Sequence, residues 1–150
     1  MALVTLTSDI GQQDYLVAAV KAQLLQVDAD FSLVDITHSI PPFNYPHAAY
    51  ICRSAIRNFP DFTYHIILVN LFEKKPEQLL LAFHQNQYLL CADNGLLQMI
   101  LEDKPEMVIG IPLDKRANKN TTYCVQVMAQ AISRLSQGES IQKIGNPDVS

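Results

Sequence analysis

What most constrains this chain is the regular alternation of apolar, strand-like runs with helical patterns. Residues 2–7 read as a buried strand, and 12–27 as a helix in which Leu16, Val17, Val20, Leu24 and Val27 recur at three- and four-residue spacings. Residues 31–36 form a second expected strand, 45–58 a second helix, and 62–69 (F-T-Y-H-I-I-L-V) a third strand rich in β-branched and aromatic residues. This β-α-β-α-β order predicts an α/β fold with a largely parallel sheet, in which ligands collect at the carboxyl ends of strands where the strand order reverses. Residues 78–84 and 87–91 then read as an antiparallel hairpin turning at Gln85-Asn86, which makes the sheet mixed. Residues 107–111 give a further short strand. Residues 122–136 give a closing helix, with Val125, Met128, Ala129, Ile132 and Leu135 on one face.

The 150 residues fit one domain, and a chain of this size buries about two thirds of its unfolded surface. With 49% apolar and 17% charged residues the composition is globular rather than disordered. A formal charge of -4 and the lack of a Lys/Arg cluster argue against a nucleic-acid partner. Cys52, Cys91 and Cys124 lie far apart with no C-x-x-C pair, and read as reduced thiols of a cytoplasmic protein. No apolar run approaches the roughly 18 residues a membrane helix needs, so no membrane partner is expected. His47, His65 and His84 lack ligand spacing, and no metal site is expected. There is no internal repeat or linker, and the tail from Lys143 to Ser150 carries Gly and Pro, as at a hand-over to another segment.

Three stretches place reactive groups where strands should end. In S-D-I-G-Q-Q-D, Asp9 follows the first strand; its carboxylate suits the vicinal diol of a ribose, yet Ser8 or Asp9 could equally cap the helix while Asp14 complements its dipole. In V-D-I-T-H-S-I-P-P-F, residues 34–43, Asp35, Thr37 and His38 could support acid-base chemistry or tie down a loop forced by Pro41-Pro42. With no identified partner, His38 reads as structural. In A-D-N-G-L-L, residues 92–97, Asp93 and Asn94 precede Gly95 in what reads as a tight turn.

Taken in register, T-S-D-I-G-Q-Q-D, V-D-I-T-H-S-I-P-P, A-A-Y-I-C with N-F-P, and A-D-N-G-L-L resemble the S-adenosylmethionine hydroxide adenosyltransferase family, which also contains the fluorinating and chlorinating enzymes. The likeness covers almost the whole chain. It implies a three-layer α/β/α N-terminal domain spanning 1–150, with the family's smaller C-terminal β-barrel domain absent from this chain. It also implies a trimeric homo-oligomer in which S-adenosylmethionine lies between one subunit's N-terminal domain and a neighbour's barrel. No cofactor is implied, since S-adenosylmethionine would be substrate or ligand. By this resemblance Asp9 would contact the ribose hydroxyls, Phe43 would form the wall beside the ribose, and Ser8, Gly11, Asp14, Asp93 and Asn94 would support the loops.

The resemblance departs at the reacting centre. Where hydrolysing members carry D-P-G-V-G and then an Arg, this chain reads Asn70-Leu-Phe-Glu-Lys-Lys-Pro-Glu77, and the family His at the start of the last helix falls on Tyr123. Asn70, Glu77 and Tyr123 thus occupy the catalytic positions in substituted form. Asn70 and Cys124 are also expected near the ligand, Tyr123-Cys124 being closer to the halide-using branch. Asn70 cannot act as a base, Glu77 reverses the local charge, and 71–78 lacks the glycines that allow close backbone approach. The expected function is an S-adenosylmethionine-binding, adenosyltransferase-like domain, for which the family reaction is S-adenosylmethionine plus water to adenosine and methionine. The alternative is a non-catalytic nucleoside-binding or assembly module.

Overall fold

A computed structural model describes residues 2–41, 43–73 and 76–147. Pro42 of the Pro41-Pro42 pair, Lys74 and Lys75 of the 71–78 loop, and the last three residues of the tail lie outside the described residues.

The elements run β1 (Leu3–Ser8), α1 (Leu16–Val27), β2 (Ser32–Thr37), α2 (Tyr45–Ile56), β3 (Tyr64–Leu68), β4 (Gln78–His84), β5 (Gln87–Ala92), α3 (Leu96–Leu101), β6 (Met107–Pro112) and α4 (Thr121–Ser136). A short 3₁₀ turn, Ile141–Lys143, follows. The strands make one six-stranded sheet in the order β2-β1-β3-β5-β4-β6. β1 pairs parallel with β2 and β3, and β3 with β5. β4 runs antiparallel to both β5 and β6, turning out of β4 at Gln85 and Asn86, which both take positive φ as a two-residue hairpin requires.

Side-chain alternation along the strands divides the core in two. Leu6, Ile66, Leu68, Leu79, Leu81 and Leu90 face the side covered by α1 and α4, which bury Val20, Leu24, Val125, Met128 and Ile132. Ile67, Val69, Leu80, Leu89 and Cys91 face the other side, covered by α2 and α3 through Ala48, Ala49, Cys52, Leu96 and Ile100. These are the three layers. Each Leu or Ile fully buried this way stabilises the fold by about 1.5–3 kcal/mol.

Two expectations change. α1 begins at Leu16 rather than at Gln12. Gly11 takes φ +77 and donates its N–H to the carbonyl of His38 at 2.8 Å, which holds the following residues out of the helix, and Asp14 Oδ1 accepts the N–H of Leu16 at 2.8 Å. The stretch after Asn94 is more than a turn, because Gly95, at φ +87, opens α3. α2 is capped by the Asn44 side chain, which accepts from the N–H of His47 at 3.2 Å, and α4 by Asn120, which accepts from the N–H of Tyr123 at 2.8 Å. The tail meets the outer edge of β6 through reciprocal backbone bonds between Gly110 and Asn146, each 2.8 Å.

Candidate nucleoside site

The strand order reverses between β1 and β3, because the chain leaves β1 for β2 on one side and returns to β3 on the other. Asp9 leaves β1 and Asn70 follows β3, so both lie at that switch point. Asp9 does not cap α1. Its Oδ2 accepts the backbone N–H of Asn70 at 2.8 Å, and Oδ1 has no hydrogen-bond partner among the described residues. Asp14, one residue before the N-cap Tyr15, is the acid that accepts a helix-start N–H, that of Leu16.

Asn70 ties the surrounding loops together. It sits at φ +48, a left-handed backbone that Asn tolerates better than most residues, and is 7% exposed. Its Oδ1 accepts the N–H of Phe43 at 3.1 Å, which fixes the orientation of the amide, and its carbonyl accepts from Asn94 Nδ2 at 3.3 Å. Asn94 Nδ2 also donates to the carbonyl of Val69 at 3.0 Å, while its Oδ1 accepts the N–H of Leu96 at 3.1 Å. Nδ2 of Asn70 is buried without a hydrogen-bond partner among the described residues. The nearby Tyr45 hydroxyl donates instead to Glu73; burial and that carboxylate push its pKa above the usual 10, against the opposing Asn70 amide.

A pocket of about 310 Å³ opens here, lined by Asp9, Phe43, Asn70, Phe72, Glu73 and Thr121 among others. Phe43 stands at its mouth, 71% exposed and at φ +64, an uncommon conformation for a bulky side chain. Asn70 and Leu71 also border a larger crevice of about 910 Å³ along the same sheet edge, where Glu77, Asp93, Lys115 and Lys119 line the wall. Asp93 accepts from Gln78 Nε2 at 2.9 Å, fastening the end of β5 to the start of β4.

The structure therefore brings Asp9, Phe43 and Asn70 to one pocket, with Ser8 and Gly11 supporting the Asp9 turn, and Asn70, Glu77, Asp93 and Asn94 to the adjoining crevice, while Tyr123 and Cys124 lie elsewhere. Glu77 faces the larger crevice and not the pocket of Asp9. Tyr123 lies at a separate cavity beside Asp114, whose N–H its hydroxyl accepts at 2.9 Å. Cys124 is fully buried in the core against α1, lines none of these cavities, and has its pKa pushed up to about 11 by burial. Tyr45, Phe72, Glu73 and Thr121 were not picked out from sequence, because their shared location depends on loops far apart in the chain. His38, which reads as structural from sequence for want of an identified partner, has one on each ring nitrogen: Ser8 Oγ at 2.5 Å from Nδ1 and Asp35 Oδ1 at 2.8 Å from Nε2. Asp35 also pairs with Lys21 at 2.6 Å. No group of His, Cys, Asp and Glu suited to hold a metal occurs among the described residues, and none of their helices is long and apolar enough to cross a membrane.

A profile of the SAM hydroxide adenosyltransferase N-terminal domain matches residues 4–145. The chain belongs to this family. It is 30% identical over 104 residues to the (R)-S-adenosyl-L-methionine hydrolase of Methanocaldococcus jannaschii, an alignment covering 67% of this chain and 40% of that protein. The SAM hydroxide adenosyltransferase domain seen here also superposes on a conserved uncharacterized protein of Thermotoga maritima with a TM-score of 0.82 at 23% identity, over 99% of this chain and 59% of the other. A conserved hypothetical protein of Thermus thermophilus superposes with a TM-score of 0.74 at 25% identity, over 97% and 57% of the respective chains. The chain thus spans less than two thirds of the length of these relatives.

Proposed function

We propose that this chain is a nucleoside-binding domain of the SAM hydroxide adenosyltransferase type, taking S-adenosylmethionine or adenosine with the ribose hydroxyls on Asp9 and the ring of Phe43 beside the sugar. The observation that carries this reading is the Asp9 carboxylate, held by the N–H of Asn70 through one oxygen and open at the other, in a pocket at the switch point of the sheet. The exposed rings of Phe43 and Phe72 support a second part of the proposal, that a neighbouring subunit's barrel domain closes the site in a trimer.

In the reaction that the family resemblance implies, water oxygen bonds to the ribose C5′ as the C5′–S bond breaks, methionine leaves as a neutral thioether, and the water gives up a proton. A neutral leaving group needs no acid, so the demand falls on positioning the water. Here Asn70 is engaged in holding loops, Glu77 replaces a cation with an anion, and the Tyr123 hydroxyl is bound to the N–H of Asp114. These features favour the alternative reading, a domain that binds the nucleoside without hydrolysing it.

The deciding experiment incubates the purified chain with S-adenosylmethionine and follows adenosine by chromatography, beside an NMR titration with adenosine. Chemical-shift changes at Asp9, Phe43 and Asn70 without adenosine release support binding without hydrolysis. Shifts confined to another edge of the sheet would overturn the nucleoside reading, and release abolished by Asp9→Ala would overturn the non-catalytic one.

A further inference from the structure

Ser8 and His38 are both fully buried, directly beneath the turn that carries Asp9. A buried hydroxyl and imidazole cost free energy unless every polar atom is bonded, and two apolar side chains would fill the space without that cost. Here both ring nitrogens are used. Asp35 is ionised: burial works to raise its pKa, but the hydrogen bonds and charges of Lys21 and His38 outweigh burial and hold it below 3.8. An ionised carboxylate only accepts, so Nε2 of His38 carries a proton toward Asp35. In the neutral ring Nδ1 is then bare and accepts the proton of the Ser8 hydroxyl. With its proton committed to Nδ1, Ser8 Oγ presents lone pairs to the N–H of Ile10, at 3.4 Å.

The backbone of the same residues grips the turn from the other side. The carbonyl of His38 accepts the N–H of Gly11 at 2.8 Å, and the carbonyl of Ser8 accepts the N–H of Ile40 at 3.3 Å. Asp9 therefore sits between Ser8, held through its side chain, and Gly11, held through its backbone, with His38 as the common anchor. We propose that His38 is a positioning residue for Asp9, acting through the Ser8 hydroxyl, with the hydrogen-bonded chain Lys21, Asp35, His38, Ser8 fixing the Asp9 turn in its ligand-ready conformation. The functional part of this assignment rests on the reading of Asp9 as the nucleoside ligand. The positioning itself does not.

The test uses the whole chain and three measurements. Nitrogen-15 NMR of the imidazole, recorded at a pH well above the ordinary histidine range, is expected to show the ring protonated on Nε2 and hydrogen-bonded at a bare Nδ1; the opposite tautomer, with its proton on Nδ1, overturns the assignment. Ser8→Ala leaves His38 Nδ1 unpaired and is expected to lower the thermal midpoint with an unchanged far-ultraviolet spectrum, and to speed hydrogen exchange at the Gly11 and Asn70 amides about tenfold more than in the distant β4–β6 pair; exchange that is unchanged or raised equally everywhere overturns it. Asp35→Asn must turn its oxygen to Lys21 and its NH₂ to His38, which moves the ring proton to Nδ1 and reverses the Ser8 hydroxyl. It is therefore expected to weaken adenosine binding about as much as Ser8→Ala, from outside the pocket, whereas wild-type affinity in both variants overturns the functional part. Should wild-type protein bind no adenosine, the nucleoside reading fails, and the tautomer and exchange results still decide the positioning.

Discussion

Asp9, in the wall of the pocket, has one oxygen bound to the N–H of Asn70 and the other without a hydrogen-bond partner among the described residues. Asp9→Asn keeps an acceptor for that N–H and removes the charge. A hydrogen bond to a charged group contributes about 1.5–3 kcal/mol, so adenosine affinity should fall at least tenfold in an NMR titration with little change in the unfolding midpoint. His65 supports a second prediction. It is buried between Thr5 Oγ1 at 2.7 Å and Gln87 Oε1 at 2.6 Å, and burial holds its pKa below 6.5 despite the Gln87 bond. Since the folded state takes up this proton less readily than the unfolded chain, the stability it contributes is present above pH 6.5 and is lost as the pH falls from there toward the lowered folded pKa. Urea midpoints should drop across that window, at most about 1.4 kcal/mol per pH unit for one proton, and His65→Gln should flatten the drop. Asp35, with its pKa lowered, adds a separate loss only as the pH falls below 3.8. At this scale the sequence announced Asp9 through its place after an apolar run. It concealed the work of Asn70, whose partners Phe43 and Asn94 lie 27 and 24 residues away.

Among the elements, the strands were legible because β-branched and aromatic runs bounded by turn residues have few other uses. α3 was not. Leu96–Leu101, L-L-Q-M-I-L, is too short and too apolar to show a period, and it follows an Asn-Gly pair that reads as a turn on its own. The late start of α1 was hidden for another reason: the bond between Gly11 and the carbonyl of His38 is a tertiary contact. The tail shows a constraint that no local pattern reveals. A Cβ on Gly145 would lie 2.3 Å from the carbonyl oxygen of Gly110, and a backbone atom cannot give way as a flexible side chain would. Gly145→Ala should push the tail from the edge of β6 and cost about 1–3 kcal/mol, the range for overpacking. Faster hydrogen exchange at the Gly110 and Asn146 amides would locate the loss there, and unchanged exchange would show that the edge tolerates the methyl.

For the whole molecule, the alternation of elements with one inserted hairpin was enough to predict a mixed α/β sheet, because parallel neighbours require crossovers and a two-residue turn requires an antiparallel pair. The site was half legible: its location follows from topology, but whether Glu77, Tyr123 and Cys124 share it depends on side-chain directions that spacing does not encode. The openness of the pocket bears on affinity. Binding pockets usually cover about 70% or more of a ligand, and this one lies open beside an exposed Phe43. The isolated chain should therefore bind adenosine with a dissociation constant of about 1 mM, near 4 kcal/mol, and calorimetry showing micromolar binding would contradict this. Leu81, fully buried in the central hairpin, gives the stability counterpart: Leu81→Ala should cost about 2–5 kcal/mol in chemical denaturation and leave residual ligand affinity unchanged where the protein is folded.

β4 enters the sheet at the edge where β3, β5 and β6 leave it, so the chain re-enters the sheet at the edge where β3 left it. Asn70, Leu71 and Glu77 lie between β3 and β4 and line the crevice at that edge, while β4 is joined to β5 and β6 by backbone ladders. The side chains after Asn70 can vary there without breaking a ladder, whereas Asn70 itself holds Asp9 through its N–H and Phe43 through its side chain. A graft of residues 71–77 that keeps Asn70 would therefore exchange the side chains at that edge and leave the anchor of the Asp9 pocket in place.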